Sequence, residues 1–255
     1  MKYLPILFLA CLAGPLAAQK TASKPIKAGL YLHLDNKYYR FGQDNLQTIL
    51  TKEAGFEVTI LTAEDIRAGK LEGLDVLIMP GGSGSKQGAK LEESGRGKIR
   101  DFVESGGGYV GICAGSYLAT NDYSWSIGLI NAKAVDKKNW ARGKGDVIMK
   151  FSDAGKQALE TTSDTVVVNY RQGPLFSPGE KKDLPAYETL ATFTTEICEN
   201  GATPGAMIGT TAIARAPFGK GRVICYGPHP ERPGGPNSLI VHGVRWAANA
   251  AAVSR

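Results

Sequence analysis

The sequence predicts an α/β protein built on a mostly parallel sheet flanked by helices, with an antiparallel strand extension in its second half. Three observations predict it. Short apolar runs alternate with helix-spaced segments up to residue 112, and glycine clusters end several of those runs. Beyond about residue 146 the texture changes to closely spaced short strands separated by turn residues.

Taken in order, Ile26 to Leu34 is an apolar run after Pro25, and Gln43 to Glu53 has helical spacing with Leu46, Ile49 and Leu50 on one face. Phe56 to Leu61 is rich in β-branched residues. Asp75 to Met79 is a short apolar strand that ends in Pro80-Gly81-Gly82. Leu91 to Ser105 reads as a helix with Ile99, Phe102 and Val103 facing inward, stopped by Gly106 to Gly108. Tyr109 to Ile112 is the next strand, and it delivers Cys113. Strands that are apolar on both faces and alternate with helices imply right-handed crossovers in a parallel sheet. In the second half the strand candidates are Asp146 to Phe151, Thr165 to Tyr170, Thr189 to Thr194, Ala206 to Ile208, Thr211 to Ala216 and Arg222 to Tyr226. Residues 217 to 221 join the last two as a hairpin, and Ser238 to Ala252 is a closing helix.

The first eighteen residues have Lys2, a short apolar stretch, Pro15 and then Ala17 and Ala18, which is the layout of a signal peptide cleaved after Ala18. The expected location is therefore exported, periplasmic or extracellular. A second exported reading takes Phe8 to Cys11 as a lipoprotein box, with a lipid anchor on Cys11. Residues 19 to 255 then form a single domain, since no repeat, low-complexity segment or linker divides them. No stretch is long and uncharged enough to span a membrane. The net charge of +6 is scattered in short clusters such as Lys137-Lys138 and Lys181-Lys182, without the concentrated basic, aromatic-interleaved patch that nucleic-acid binding requires.

Outside the leader the cysteines are Cys113, Cys198 and Cys225. An odd number leaves at least one thiol unpaired within the chain. Two arrangements stay open: a Cys198–Cys225 bridge, or two buried free thiols.

Cys113 stands between Gly111 and Gly115, at a strand end followed by helix-compatible Ser116 to Ala119. A nucleophile on such a sharp turn needs small residues two positions to either side. The free N–H groups of the following helix would favour the attacking thiolate. Of the three histidines, His33 ends the first strand and His242 lies inside the closing helix. His229 follows the strand ending at Tyr226, at the sheet edge where ligands bind in open parallel sheets. Glu231, two residues on across Pro230, points the same way in extended backbone and can accept a hydrogen bond from the imidazole. Gly81 and Gly82 offer backbone N–H groups which, with that of Ala114, would hold an oxyanion. Asn169, Tyr170, Arg171 and Gln172 are candidate substrate contacts, Arg171 through a bidentate carboxylate bond. Asp35, Tyr38 and Tyr39 are further cleft candidates.

Gly-Gly after a strand, a Gly-x-Cys-x-Gly elbow and a later His-x-Glu, in that order, resemble the class I glutamine amidotransferase-like superfamily. The Cys-Ala-Gly elbow with Tyr117 following, together with Val168-Asn169-Tyr170-Arg171-Gln172-Gly173-Pro174, looks most like the N-terminal domain of biotin-protein ligases and its stand-alone bacterial relatives. This resemblance implies a flavodoxin-like sheet and carries over Cys113 as nucleophile, His229 as base and Glu231 as its orienting partner. Glutamine-using members usually carry Gln or a similar polar residue where this chain has Tyr117, a candidate substrate contact. The protease and deglycase branch often has His where this chain has Ala114. The expected activity is therefore hydrolysis of a small-molecule amide or related acyl substrate through a thioester, with neither cofactor nor metal. The alternative is a ligand-binding or scaffold module that keeps the cleft without turnover. The sequence leaves homo-oligomerisation open.

Overall fold

The computed structural model describes residues 24–33 and 37–249; the leader and Cys11 lie outside them. The strands β1 (Ile26–Tyr31), β2 (Phe56–Leu61), β3 (Val76–Met79), β4 (Gly108–Ile112) and β11 (Gly221–Tyr226) form a parallel block in the order β2-β1-β3-β4-β11. From β11 the sheet continues antiparallel through β10 (Thr211–Phe218), β9 (Glu188–Phe193), β6 (Lys144–Phe151) and β7 (Thr165–Arg171). Two short strands, β5 (Ala132–Ala134) and β8 (Phe176–Pro178), pair with each other, and β8 touches β10.

The central parallel strands β3 and β4 are buried throughout because both of their faces are covered, while the edge strand β2 exposes Glu57, Thr59 and Ile60. Val76, Ile78, Val110, Ile112, Ile224 and Tyr226 point to one layer, shared with Leu46 of α1 (Lys37–Ile49), with Leu50 just past its end, and with Leu239, Ile240 and Val244 of α6 (Ser238–Ala247). Their neighbours Leu77, Met79, Tyr109, Val223 and Cys225 point to the other layer. That layer receives Ile66 of α2 (Ala63–Arg67), Ile99 and Val103 of α3 (Gly84–Glu104), and Leu118 of α4 (Ala114–Ala119). The outer strands of the antiparallel extension, β6 and β7, are covered on one face only. Val147, Met149, Val168 and Tyr170 go inward, while Val167 and Ile148 face solvent, so β6 and β7 read as alternating.

Four expected elements differ from what forms. Ala206 to Ile208 is a turn segment, because Gly205 and Gly209, at φ of +76° and +77°, bend the chain on both sides of it. Helix α3 starts at Gly84, capped by the Ser83 side chain, and is broken at Glu92 where φ is +57°. Helix α1 runs from Lys37 to Ile49, earlier than its apolar spacing suggests. Helix α6 stops at Ala247, with Asn249 at φ of +54°. The short helices α2 and α5 (Asp153–Ala158) and the strands β5 and β8 carry too few periodic residues to be read in advance. Helix α2 nonetheless has a legible start, a capping box in which Thr62 and Asp65 satisfy each other's backbone N–H. The hairpin at 217 to 221 forms, with Phe218 paired to Gly221.

Cys113, Cys198 and Cys225 are all free, so the Cys198–Cys225 bridge does not form. Nor are both of those thiols buried: Cys225 is enclosed in β11, while Cys198 is exposed on the loop after β9. Among the described residues, no helix is long and apolar enough to cross a membrane.

Candidate active site

Strand β4 ends at Ile112, and the chain turns at once into α4 with Cys113 at φ +50° and ψ −100°. A side chain with positive φ at such a place is held by its surroundings, here at a cost of about 1–3 kcal/mol. Both flanking glycines have a steric reason. A Cβ on Gly111 would lie 2.7 Å from the Gly115 carbonyl oxygen, and one on Gly115 only 2.0 Å from that of Met79. Ser116 fastens the turn from below, its hydroxyl lying 2.8 Å from the carbonyl oxygens of both Gly111 and Tyr226. The Cys113 N–H donates to the Tyr226 carbonyl at 2.8 Å, tying the elbow to the end of β11.

His229 stands on the loop that leaves β11. Its N–H donates to the Asn169 carbonyl at 2.8 Å, and its ring Nδ1 lies 2.6 Å from Glu231 Oε1. Glu231 is buried, with its second oxygen unpartnered among the described residues. Burial by itself would strip the proton from His229. The charges of Glu231 and of Cys113, together with its hydrogen bonds to both, outweigh burial and raise its pKa to about 10. The site is thus arranged for an imidazolium beside the sulfur, with Glu231 fixing the ring. Gly81 completes the group, because a Cβ there would fall 2.7 Å from the His229 Cε1 carbon and 3.7 Å from the Cys113 Cβ. The backbone after β3 can come this close only as glycine.

A cleft of about 370 Å³ opens over the sulfur. Gly82 and Ala114 line it, and their N–H groups, like that of Gly81, donate to no backbone acceptor among the described residues. They are therefore available to an oxyanion. Tyr117 and Gln172 also line the cleft, joined by a 3.3 Å bond from the Tyr117 hydroxyl to the Gln172 carbonyl. Gln172 is held at φ +63°. The Arg171 carbonyl accepts from the Cys113 thiol at 3.5 Å, and Arg171 lines the cleft. Asn169 holds the Arg171 side chain, taking Nε at 3.0 Å and giving its own amide to Asp146 at 2.9 Å.

Tyr170 is placed differently. Strand side chains alternate, so with the Asn169 and Arg171 side chains bonded to each other on one face, Tyr170 enters the core, fully buried and edge-on to Phe193. Asp35 and the side chains of Tyr38 and Tyr39 lie outside the described residues. His33 and His242 are buried away from the sulfur's hydrogen-bonding partners, His242 at 3.4 Å from Glu160. Sequence reading missed the far wall: Tyr123, Trp125 and Trp140, from the irregular stretch between α4 and β6. The only available signal was four aromatic residues between positions 117 and 140.

Residues 44–240 match the family described as biotin-protein ligase, N terminal. The chain belongs to this family. Among solved structures, it is similar to a ThuA-like protein from Bacteroides uniformis, at 18% identity and a TM-score of 0.59, over 89% of this chain and 93% of that one. A ThuA-like protein from Parabacteroides merdae gives 14% identity and a TM-score of 0.60, over 91% and 93%. A β-galactosidase from Bacillus circulans gives 11% and 0.54, covering 88% of this chain but 30% of that enzyme. At such identities the likeness is one of fold, of the glutamine amidotransferase-like class. No curated protein matches the sequence.

Proposed function

We propose that this protein is an exported cysteine hydrolase of flavodoxin-like architecture that cleaves an amide or related acyl bond in a small molecule. The single observation that carries the proposal is the strained Cys113 elbow facing a His229 that is bonded to a buried Glu231. The parallel strand order β2-β1-β3-β4-β11 supports the flavodoxin-like reading, since that fold runs 2-1-3-4-5. Export rests on the leader alone.

In the proposed reaction the Cys113 thiolate adds to the substrate carbonyl, and the N–H groups of Gly82 and Ala114 hold the resulting oxyanion. As the C–N bond breaks, the nitrogen leaves as an amine carrying the proton from His229, and a thioester remains on the sulfur. His229, now neutral, takes a proton from water as it attacks the thioester. The carbon–sulfur bond then breaks, releasing a carboxylic acid and restoring the thiolate–imidazolium pair. Glu231 keeps the ring oriented and stabilises its charge.

Cys113→Ala, with an unchanged melting temperature, is expected to abolish turnover across a panel of small amides and labelling by an acylating thiol probe. Undiminished turnover in that variant would overturn the proposal. The second reading, a module that binds without turnover, is favoured by the Tyr117 hydroxyl bonded to the Gln172 carbonyl over the cleft. It predicts saturable binding of panel compounds with no burst of acylation in the wild-type protein.

A further inference from the structure

We infer that the cleft selects a small amide bearing a free carboxylate and a planar apolar group, of the N-aroyl amino acid kind. This inference rests on the hydrolase reading for its chemistry, but its recognition elements stand on separate observations.

The first is charge. Among the described residues lining the cleft, Arg171 is the one charged side chain, and none is a carboxylate. Its Nε is tied to Asn169, which is braced by Asp146, so the guanidinium plane is held in place. Its two terminal nitrogens make no hydrogen bond or ion pair among the described residues. An oriented guanidinium with both terminal nitrogens open presents the fork that takes a carboxylate through two parallel bonds. A second arginine, Arg142, is 2% exposed, pairs with Asp136 at 3.3 Å, and acts electrostatically on Tyr117 and Tyr170.

The second is the aromatic wall. Tyr117 meets Tyr123 edge-on at 5.9 Å, and Tyr123 stacks on Trp125 at 4.5 Å with 18° between their planes. Trp125 is seated against α3 where Gly84 and Gly88 lack side chains, a Cβ at either coming within 3.0 Å of it. Lys137 caps the Tyr123 ring at 4.3 Å. Trp140, 53% exposed at the rim, is the aromatic surface left open to a ligand. A large apolar ring exposed beside a cleft is ready for stacking by a flat group.

The third is size. A volume of about 370 Å³ is at the small end of ligand pockets and fits a compact two-part molecule. A ring against Trp140, a carbonyl at the sulfur and a carboxylate on Arg171 together describe an acylated amino acid with an aromatic acyl group.

The test uses N-benzoylglycine and its uncharged counterpart N-benzoylglycinamide as probes, with binding to the full-chain Cys113→Ala protein followed by calorimetry and tryptophan fluorescence. N-Benzoylglycine is expected to bind at least about tenfold more tightly, since a charge-assisted bidentate bond is worth that much. Arg171→Gln is expected to erase the difference, and Trp140→Ala to weaken both probes alike. Equal binding of the two probes by the Cys113→Ala protein, which needs no change at Arg171, overturns the inference. So does an unaltered ratio in Arg171→Gln. Carboxylate-selective binding without turnover by the wild type sinks the hydrolase reading and leaves the inference standing. Turnover that is indifferent to the carboxylate does the reverse.

Discussion

Gly115→Ala is the sharpest probe of the elbow, because the structure sets the size of its effect. The added Cβ would sit 2.0 Å from the Met79 carbonyl oxygen, where contacts under 3.0 Å essentially never occur. Something must therefore move by about 1 Å. The obstacle is backbone, not the end of a flexible side chain, and the neighbouring approach of Gly111 to the Gly115 carbonyl leaves no room for α4 to retreat inward. Relief has to come from separating α4 from the end of β3. That movement pulls the Ala114 N–H away from those of Gly81 and Gly82, which follow Met79 across Pro80. Overpacking of this kind costs roughly 1–3 kcal/mol of stability. A misplacement of about 1 Å at a reacting centre costs on the order of a hundredfold in rate. Gly97→Ala is the matched control: it lies in α3, its Cβ would meet nothing nearer than 3.9 Å, and it is expected to stabilise by roughly 0.5–1 kcal/mol. Urea unfolding gives the stabilities, and the rate of Cys113 labelling by an acylating probe reports the site. If Gly115→Ala unfolds at the same urea concentration as the wild type and is labelled as fast, the elbow is not the tight assembly described and the reasoning fails.

Glu231→Gln removes the charge that offsets burial of His229, so the sign of the imidazole's contribution to stability should reverse. With the histidine pKa raised to about 10, the wild type has its full His229 contribution below about pH 6.5 and loses it as pH climbs through 10. In the variant burial is opposed by Cys113 alone, and the stability gap to wild type should be widest near pH 6 and close towards pH 10; a gap that is flat with pH in paired urea titrations counts against the assignment. Ser116→Ala leaves the carbonyls of Gly111 and Tyr226 without the hydroxyl between them, and a loss of about 1–2 kcal/mol in urea unfolding, with slower labelling of Cys113, is expected.

The parallel half of the sheet was legible because its strands are buried on both faces, which forces runs such as Val76-Leu77-Ile78-Met79 that no helix of a surface layer would carry. The elbow was legible for a related reason. Close approaches leave glycines in the sequence, and Gly111, Gly115 and Gly81 each mark one. Tyr170 lies in the core by a rule that was at hand: on a strand whose Asn169 and Arg171 side chains share one face, the residue between them goes to the other. Trp125 and Trp140 left no such trace. They come from a stretch with neither a two-residue nor a 3.6-residue period, and their position depends on contacts made at a distance, such as Trp125 with Gly84 and Gly88. The same holds for Cys198, whose exposure is decided by a loop and by no local pattern.

The placement of residues 169–172 is the part that strand order alone would have got wrong. Along the hydrogen-bonded path, β7 is five steps from β4, through β11, β10, β9 and β6. At about 4.8 Å per step a flat sheet would hold them roughly 24 Å apart. Yet the Arg171 carbonyl at the end of β7 takes a hydrogen bond from the Cys113 thiol at 3.5 Å, and the Asn169 carbonyl takes the N–H of His229 at 2.8 Å. The antiparallel extension must therefore curl until its far strand closes over the C-terminal edge of the parallel block. The register between β9 and β10 slips twice, between Thr211 and Ile213 and again before Ala214, and irregularities of this kind sharpen twist and bend a strand. Cys113 and His229 thus follow strands of the parallel block, while Arg171 comes from the sheet's opposite end. A mutation that straightened β10 would be expected to part Arg171 from Cys113 while leaving the elbow itself whole.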